Sequence, residues 1–418
     1  MVKVTLTSWI IDTIFLVIYL FYLPPLLSSN KGYLPFLSFG QFLNQSNLLN
    51  AINFLKLPTW SRNYKSCFSP DSEVSCAQLI HSYETISNWE KIRNNLTLEQ
   101  SEPHILHIKP QAGTGNMMYH ITSGIILAMA LNKTVIITKQ IDGIFYPKSL
   151  RFLTKKYSGC NKRAHWPIMN YENWQRKESV ELGNSGAHIT VTFCYPYFLL
   201  MDQYLSKFTF SNFGIHFTYY ILNYAAEISN EVKDIVFQLF NAIPQKVKVI
   251  GVHLRNHKSQ SPFFITSIQK VESLIVPFLN DLFSNGLYIA LATDNQNYIN
   301  RLNLSFPNRL IIANVERKPN GAAISAMTDI CLLMMCNKMI GTFRSSFSTN
   351  AAQRTLMRPY WIAMENPNLF RFTNSQAGIV STIMENAKHD YNYILNFRAR
   401  LYPSVEYPMR VFFRNLAL

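Results

Sequence analysis

The strongest constraint on how this chain can fold is a regular alternation of short apolar runs and helical segments between residues 247 and 363. Val247–Leu254, Leu287–Ala292, Arg309–Ala313, Lys338–Gly341 and Pro359–Ala363 each read as a strand. Pro262–Leu282, Asn295–Leu302, Ala322–Met335 and Ser346–Leu356 read as the helices between them. Strands separated by helices predict a doubly wound, mostly parallel sheet. The same theme begins earlier, at Ile105–Ile108. That strand is followed by a Gly-containing turn over 109–116, a helix over Met117–Leu131 and a second strand over Thr134–Thr138. This is a βαβ unit.

A chain of 418 residues exceeds one ordinary core, so two α/β units in tandem are expected, facing each other across a cleft. The expected divisions are 1–30, a tail and apolar anchor; 31–100, a Ser/Asn/Pro-rich stem with some packed elements; 101–245 and 246–385, the two Rossmann-like domains; and 386–418, a C-terminal helix and tail. Within 139–245 the pattern is one of aromatic loops and helices, with an amphipathic helix over Ala225–Phe240. No internal repeat is present.

The N-terminus bears on compartment. Trp9–Leu27 is almost continuously apolar, interrupted by Asp12 and Pro24-Pro25, and about long enough to cross a bilayer. Lys3 before it favours a cytoplasmic tail with the remainder in the lumen. A cleaved signal peptide is the rival, but no small-x-small site follows, which favours an uncleaved anchor. Sequons at Asn44, Asn95, Asn132 and Asn303 are compatible with a lumenal location in the Golgi or ER. Of six cysteines, Cys67 with Cys76 and Cys160 with Cys194 are possible disulfides in an oxidising compartment, whereas Cys331 and Cys336 lie in an apolar run and read as buried thiols. The net charge is +15. The basic residues are scattered, which disfavours a nucleic-acid tail and leaves anionic small molecules or a membrane surface as the partners such a balance fits.

Ligands of open parallel sheets bind beyond the carboxyl ends of strands. After Val247–Leu254 the chain continues Arg255-Asn256-His257-Lys258, so with His253 four potentially cationic groups fall within six residues. Arg255 can grip a diphosphate with its planar fork of donors. Asp294, after the next strand, can accept from ribose hydroxyls or a base edge, or can cap the helix behind it. Ser345 and Ser346 open another helix, where they either face an anion or act as caps. The chain contains no Asp-x-Asp, no HExxH and no GxSxG. Without the first, a leaving diphosphate must be neutralised by the protein's own cations rather than a metal.

With these residues placed, the chain resembles the inverting fucosyltransferases that use GDP-fucose, including the α-1,2, α-1,6, plant xyloglucan and protein O-fucosyltransferase groups. The resemblance rests on Gly113-Thr-Gly115-Asn116, on Gly251-Val-His253-Leu-Arg255, on Ala292-Thr293-Asp294, and on Asp329-Ile-Cys-Leu-Leu333 through Thr342-Phe-Arg-Ser345-Ser346-Phe347. It covers residues 104 to about 365. It implies the GT-B architecture, with Arg255 on the pyrophosphate, His253 and Asp294 near the guanosine, and Ser345 and Ser346 near the phosphates. Gly115, Asn116 and Phe347 would complete the donor site. The donor would be GDP-fucose, with no metal, and the acceptor a glycan or glycoprotein hydroxyl. Many of these enzymes carry H-x-R-R-x-D. Here Asn256 follows Arg255, and Lys258 stands where the acid would be, which leaves the general base open. Asp329 is a candidate by motif position, and Glu227 is a second acid without motif support. A non-catalytic glycan- or nucleotide-binding protein of the same fold, or a transferase for another nucleotide sugar, is the alternative reading.

Overall fold

A computed structural model describes residues 45–95, 105–152, 163–167, 188–192, 203–255, 268–363 and 368–370, apart from short gaps at 63, 70–71, 73, 111–112, 148–149, 245–246, 283–285, 314–321 and 343–344. The expected anchor at 9–27, the Asn44 sequon, Cys160, Cys194, residues 256–258 and the C-terminal helix lie outside the described residues. No described helix is long and apolar enough to cross a membrane.

The helices in chain order are α1 (Gln45–Phe54), α2 (Cys76–Asn94), α3 (Thr114–Ala130), α4 (Gln203–Phe213), α5 (Phe217–Ala225), α6 (Asn230–Asn241), α7 (Ile268–Leu282), α8 (Gln296–Ser305), α9 (Ala322–Met334) and α10 (Ser346–Thr355). The strands are β1 (Ile105–Ile108), β2 (Thr134–Ile137), β3 (Ile144–Phe145), β4 (Arg151–Phe152), β5 (Arg163–Pro167), β6 (His188–Thr192), β7 (Glu227–Ile228), β8 (Val249–Leu254), β9 (Tyr288–Thr293), β10 (Leu310–Ile311), β11 (Lys338–Thr342), β12 (Tyr360–Ala363) and β13 (Asn368–Phe370).

The first sheet has five strands in the order β4-β2-β1-β6-β5, all parallel. The second has six in the order β10-β9-β8-β11-β12-β13, parallel except for β13. In the second sheet the chain runs outward from β8 through β9 to β10, returns to β11 on the other side of β8, and proceeds outward again. The reversal lies between β8 and β11, the topological switch point where ligands of doubly wound sheets bind. The β3–β7 pair forms a short antiparallel ribbon beside these sheets.

Strand β8 shows why the second sheet has helices on both faces. Side chains alternate across a strand. Ile250, Val252 and Leu254 join a core with Val271, Ile275 and Leu279 of α7 and Tyr298 and Leu302 of α8. Gly251 and His253 face the other way, toward α9 and α10. A Cβ on Gly251 would lie 2.9 Å from Leu333 Cδ2, so the glycine lets α9 pack directly on the strand. The larger core cluster is continuous from α1 and α2, through α3, α5 and α6, to α9 and α10. It therefore joins the N-terminal segment and both sheets by buried apolar area, the main favourable contribution to folding.

Several elements differ from the sequence reading. Helix α3 starts at Thr114, three residues before the expected Met117, so Gly115 and Asn116 lie in its first turn rather than in a loop. The expected helix over Ala225–Phe240 is broken. α5 ends at Ala225, β7 intervenes, and α6 starts at Asn230 behind Ser229, whose hydroxyl accepts from the Val232 N–H. β3, β4, β5, β6 and β13 add strands where none was expected. The stem region contains two packed helices, and Cys67 and Cys76 form a disulfide. Cys331 and Cys336 are buried thiols, as expected, and burial pushes Cys331 up to about 12.

Burial also leaves a pH signature. His120 in α3 is fully buried, and desolvation lowers its imidazole to about 4 from an ordinary 6.5. Between these values the unfolded chain binds a proton that the folded chain refuses, so stability decreases as pH falls through this window. The loss from this group is about 3 kcal/mol in full. Denaturant titrations at pH 7 and pH 4.5 are expected to show this loss, and His120→Gln is expected to flatten it. An unchanged pH profile in the variant would contradict the assignment.

Candidate active site at the facing sheet edges

The switch point is built from three strand ends. Thr342, the last residue of β11, receives the Arg255 backbone N–H on its hydroxyl at 3.1 Å and donates that hydroxyl to the His253 carbonyl at 2.8 Å. Thr293, at the end of β9, donates its hydroxyl to the Leu254 carbonyl at 2.8 Å. These threonines tie the end of β8 to both neighbouring strands. Arg255, two residues beyond His253 on the same side of the alternation, therefore leaves the sheet from a fixed backbone position.

The Arg255 side chain is half-buried. Its Nη1 lies 3.1 Å from Asp294 Oδ2, and the Asp294 side chain is only 8% exposed. The helix-capping alternative for Asp294 is excluded, because the α8 cap is Asn295, whose side chain accepts from the Asn297 N–H at 3.0 Å. Asp294 instead holds one arm of the guanidinium. A fork with five donors can be oriented by a carboxylate on one edge and still present donors elsewhere.

His253 is buried at 4% exposure. Its ring stacks on Phe347 at 4.8 Å between centroids and 21° between planes, and its Nδ1 is hydrogen-bonded to Ser348 Oγ. The Ser348 oxygen also accepts from the Thr342 N–H at 3.2 Å. His253 and Phe347 thus set the position of the first turn of α10 over the strand end. They act within the protein packing rather than from an open wall.

The α10 N-cap position is held by Ser345, but its side chain makes no capping hydrogen bond. The same is true of Gly113 at the start of α3. A helix N-terminus without a side-chain cap presents backbone N–H groups and roughly half a positive charge, which attracts anions. These two ends meet. A Cβ on Gly115 would lie 2.8 Å from Ser346 Oγ and 2.9 Å from the Ser346 carbonyl carbon, and Asn350 Nδ2 donates to the Gly115 carbonyl at 3.0 Å. β1 and β11 precede α3 and α10, so the carboxyl edges of the two sheets face each other here. Ser345 is buried, whereas Ser346, Phe347 and Asn116 are half-buried around the junction.

The two acids considered as bases sit differently. Asp329 is on α9, the helix packed beside α10, and is 6% exposed. Glu227 is not at this edge. It is paired with Lys56 and Lys233 in a pocket that also contains Arg354, near the C-terminal end of α10. A ten-residue helix is about 15 Å long, which places Glu227 roughly that far from the Ser346 end. Among the described residues, no cluster of three His, Cys, Asp or Glu side chains is arranged to hold a metal ion.

The fold and the facing edges define a protein of two Rossmann-like sheets with an anion-attracting junction between them. Comparison with solved structures supplies the fold type. The chain superimposes on an Arabidopsis thaliana FUT1 mutant solved in complex with GDP, with a TM-score of 0.53 and 14% identity over 75% of this chain and 90% of that one. The Bradyrhizobium α-1,6-fucosyltransferase NodZ, soaked with GDP-fucose, gives 0.44 and 15% over 65% and 99%. POFUT1 with GDP-fucose gives 0.39 and 13% over 60% and 94%. The likeness to FUT1 shows the fold, the GT-B type expected from the sequence. No protein-family model and no curated protein sequence matches the chain.

The close contact at Gly115 is testable. Gly115→Ala is expected to push the two helix starts apart by several tenths of an ångström and to lower stability by about 1–3 kcal/mol in denaturant titration. Unchanged stability would show that the two helix starts are not in close contact.

Proposed function

We propose that the protein is a glycosyltransferase that moves fucose from GDP-fucose to an acceptor hydroxyl on a glycan or glycoprotein, with inversion at the anomeric carbon. The observation that carries this reading is the convergence of two helix N-termini without side-chain caps, beside Arg255, at the switch point of the second sheet. A diphosphate is the group such an arrangement suits best. The fold shared with FUT1, which was solved with GDP, supports a guanine nucleotide in particular.

In this reading the departing group is GDP, and negative charge grows on its diphosphate as the glycosidic bond breaks. The Arg255 guanidinium, oriented by Asp294, and the N–H groups of the first turns of α3 and α10 are fixed before reaction and need no reorganisation to meet that charge. Asn116, Ser345 and Ser346 would complete the phosphate shell in this reading. Metal independence is part of the proposal and rests on the missing Asp-x-Asp motif. Asp329 is the acid nearest the motif position for a general base, and Glu227 is set aside by its distance. The acceptor is expected on the side of the first sheet.

The compartment we propose is the Golgi or ER lumen, with Trp9–Leu27 as a single-pass anchor. The Cys67–Cys76 disulfide fits an oxidising compartment, and the sequons at Asn95, Asn132 and Asn303 are exposed.

Thermal-shift measurements with GDP, UDP and CMP test the donor class. GDP alone is expected to raise the melting temperature. Arg255→Ala is expected to reduce transfer from GDP-fucose by at least about a hundredfold, because one preorganised group facing transition-state charge is lost, with the fold intact. Stabilisation by UDP alone would replace the donor. Near-normal turnover in the variant would remove Arg255 from the site.

A further inference from the structure

The same helix that starts at the nucleotide junction ends in a second pocket. Arg354, in the last turn of α10, is 1% exposed. Its Nη1 donates to Asn223 Oδ1 at 3.3 Å and its Nη2 lies 3.6 Å from Met118 Sδ, both uncharged partners. Its Nε is buried without a hydrogen-bond partner. Among the described residues no carboxylate pairs with it. A buried cation with only neutral neighbours is costly, because desolvation is not offset by a counter-charge. Here the cost shows as a guanidinium pulled down to about 10, still charged at neutral pH.

Arg354 forms part of the wall of a cavity of about 300 Å³, together with Trp60, Asn223, Lys56, Lys233 and Glu227. Three cations surround one carboxylate. Lys56 Nζ and Lys233 Nζ lie 3.6 Å and 3.5 Å from the two oxygens of Glu227, so both are drawn to a single negative charge. The lining therefore carries two positive charges in excess. Lys56 sits at φ 53°, a left-handed conformation in which glycine or asparagine is usual after a helix. Lysine adopts this backbone at some cost. Lys56 belongs to the N-terminal segment, Lys233 and Glu227 to the first α/β unit, and Arg354 to the second. A ligand between them would touch all three.

We propose that this pocket is a second anion-binding site, separate from the nucleotide junction, for a small molecule bearing a carboxylate or phosphate group. The anion would supply the counter-charge that Arg354 lacks, and Lys56 and Lys233 would turn from Glu227 to share it. Trp60 offers an apolar face for the remainder of a small organic acid. The site does not depend on the identity of the nucleotide bound at the other end of α10.

The test is a thermal-shift titration of the whole protein with sodium phosphate and, separately, sodium citrate, at constant ionic strength and with excess GDP present to occupy the junction. A dose-dependent rise of about 2 °C or more is expected from at least one. In Lys56→Gln/Lys233→Gln that rise is expected to disappear while the GDP-induced shift remains. Glu227→Gln, which removes the one acid among the lining residues, is expected to move the anion midpoint to lower concentration by about tenfold. A structural role for Glu227 would lower stability without tightening anion binding. If GDP gives no shift, the donor reading fails while the anion titration, repeated without GDP, still decides this proposal. No anion-dependent shift, or a shift retained in the double lysine variant, would overturn it.

Discussion

The arrangement of this molecule depends on the contact between the first turns of α3 and α10. Each helix follows the innermost strand on its side of the cleft, and each begins without a side-chain cap. Bringing two positive helix ends together is electrostatically unfavourable in isolation. It is made possible by steric room at Gly115, by the Asn350 hydrogen bond to the Gly115 carbonyl, and by the continuous apolar core behind both helices. The repulsion that remains is what an anion at the junction would relieve. In the proposed reading, a nucleotide diphosphate would complete this electrostatic arrangement.

Helix α10 links this junction to the rest of the structure. Near its start, Ser348 is bonded to the His253 ring and to the Thr342 N–H, so the helix is referenced to β8 and β11. At its end, the Arg354 carbonyl accepts from Asn223 Nδ2 at 3.0 Å, which references it to α5 of the first unit. One short helix therefore spans the two α/β units and reaches a charged site at each end. Arg255 and Asp294 are outside this helix, but they are positioned by the same strand ends through the hydroxyls of Thr342 and Thr293.

Much of the second sheet was legible in the sequence because its inner strands are apolar on both faces and its helices recur at regular spacing. Gly251-Val-His253-Leu-Arg255 also revealed its strand-end position by simple alternation. The first sheet was less legible. β5, Arg163-Ala-His-Trp-Pro167, and β6, His188-Ile-Thr-Val-Thr192, carry polar groups that do not resemble buried parallel strands. The two glycines at 113 and 115 read as a turn, because the reason for the second, room for Ser346 from a distant helix, is a tertiary fact. Asp294 and Asn295 are adjacent and equally suited to capping, so only the fold could assign the cap to one and Arg255 to the other. The imidazole of His253 counted as a cation by composition, yet burial against Phe347 makes it part of the packing. The Arg354 pocket joins residues 56, 227, 233 and 354, a grouping that no local pattern contains.

The central claim is that the junction of α3, α10 and Arg255 receives a diphosphate. Calorimetric titration of the protein with GDP and with guanosine measures that contribution directly, since the two ligands differ only in the charged group. GDP is expected to bind at least about a hundredfold more tightly, a difference of roughly 2.7 kcal/mol, and the difference is expected to narrow with rising salt. Equal affinities for the two would contradict it.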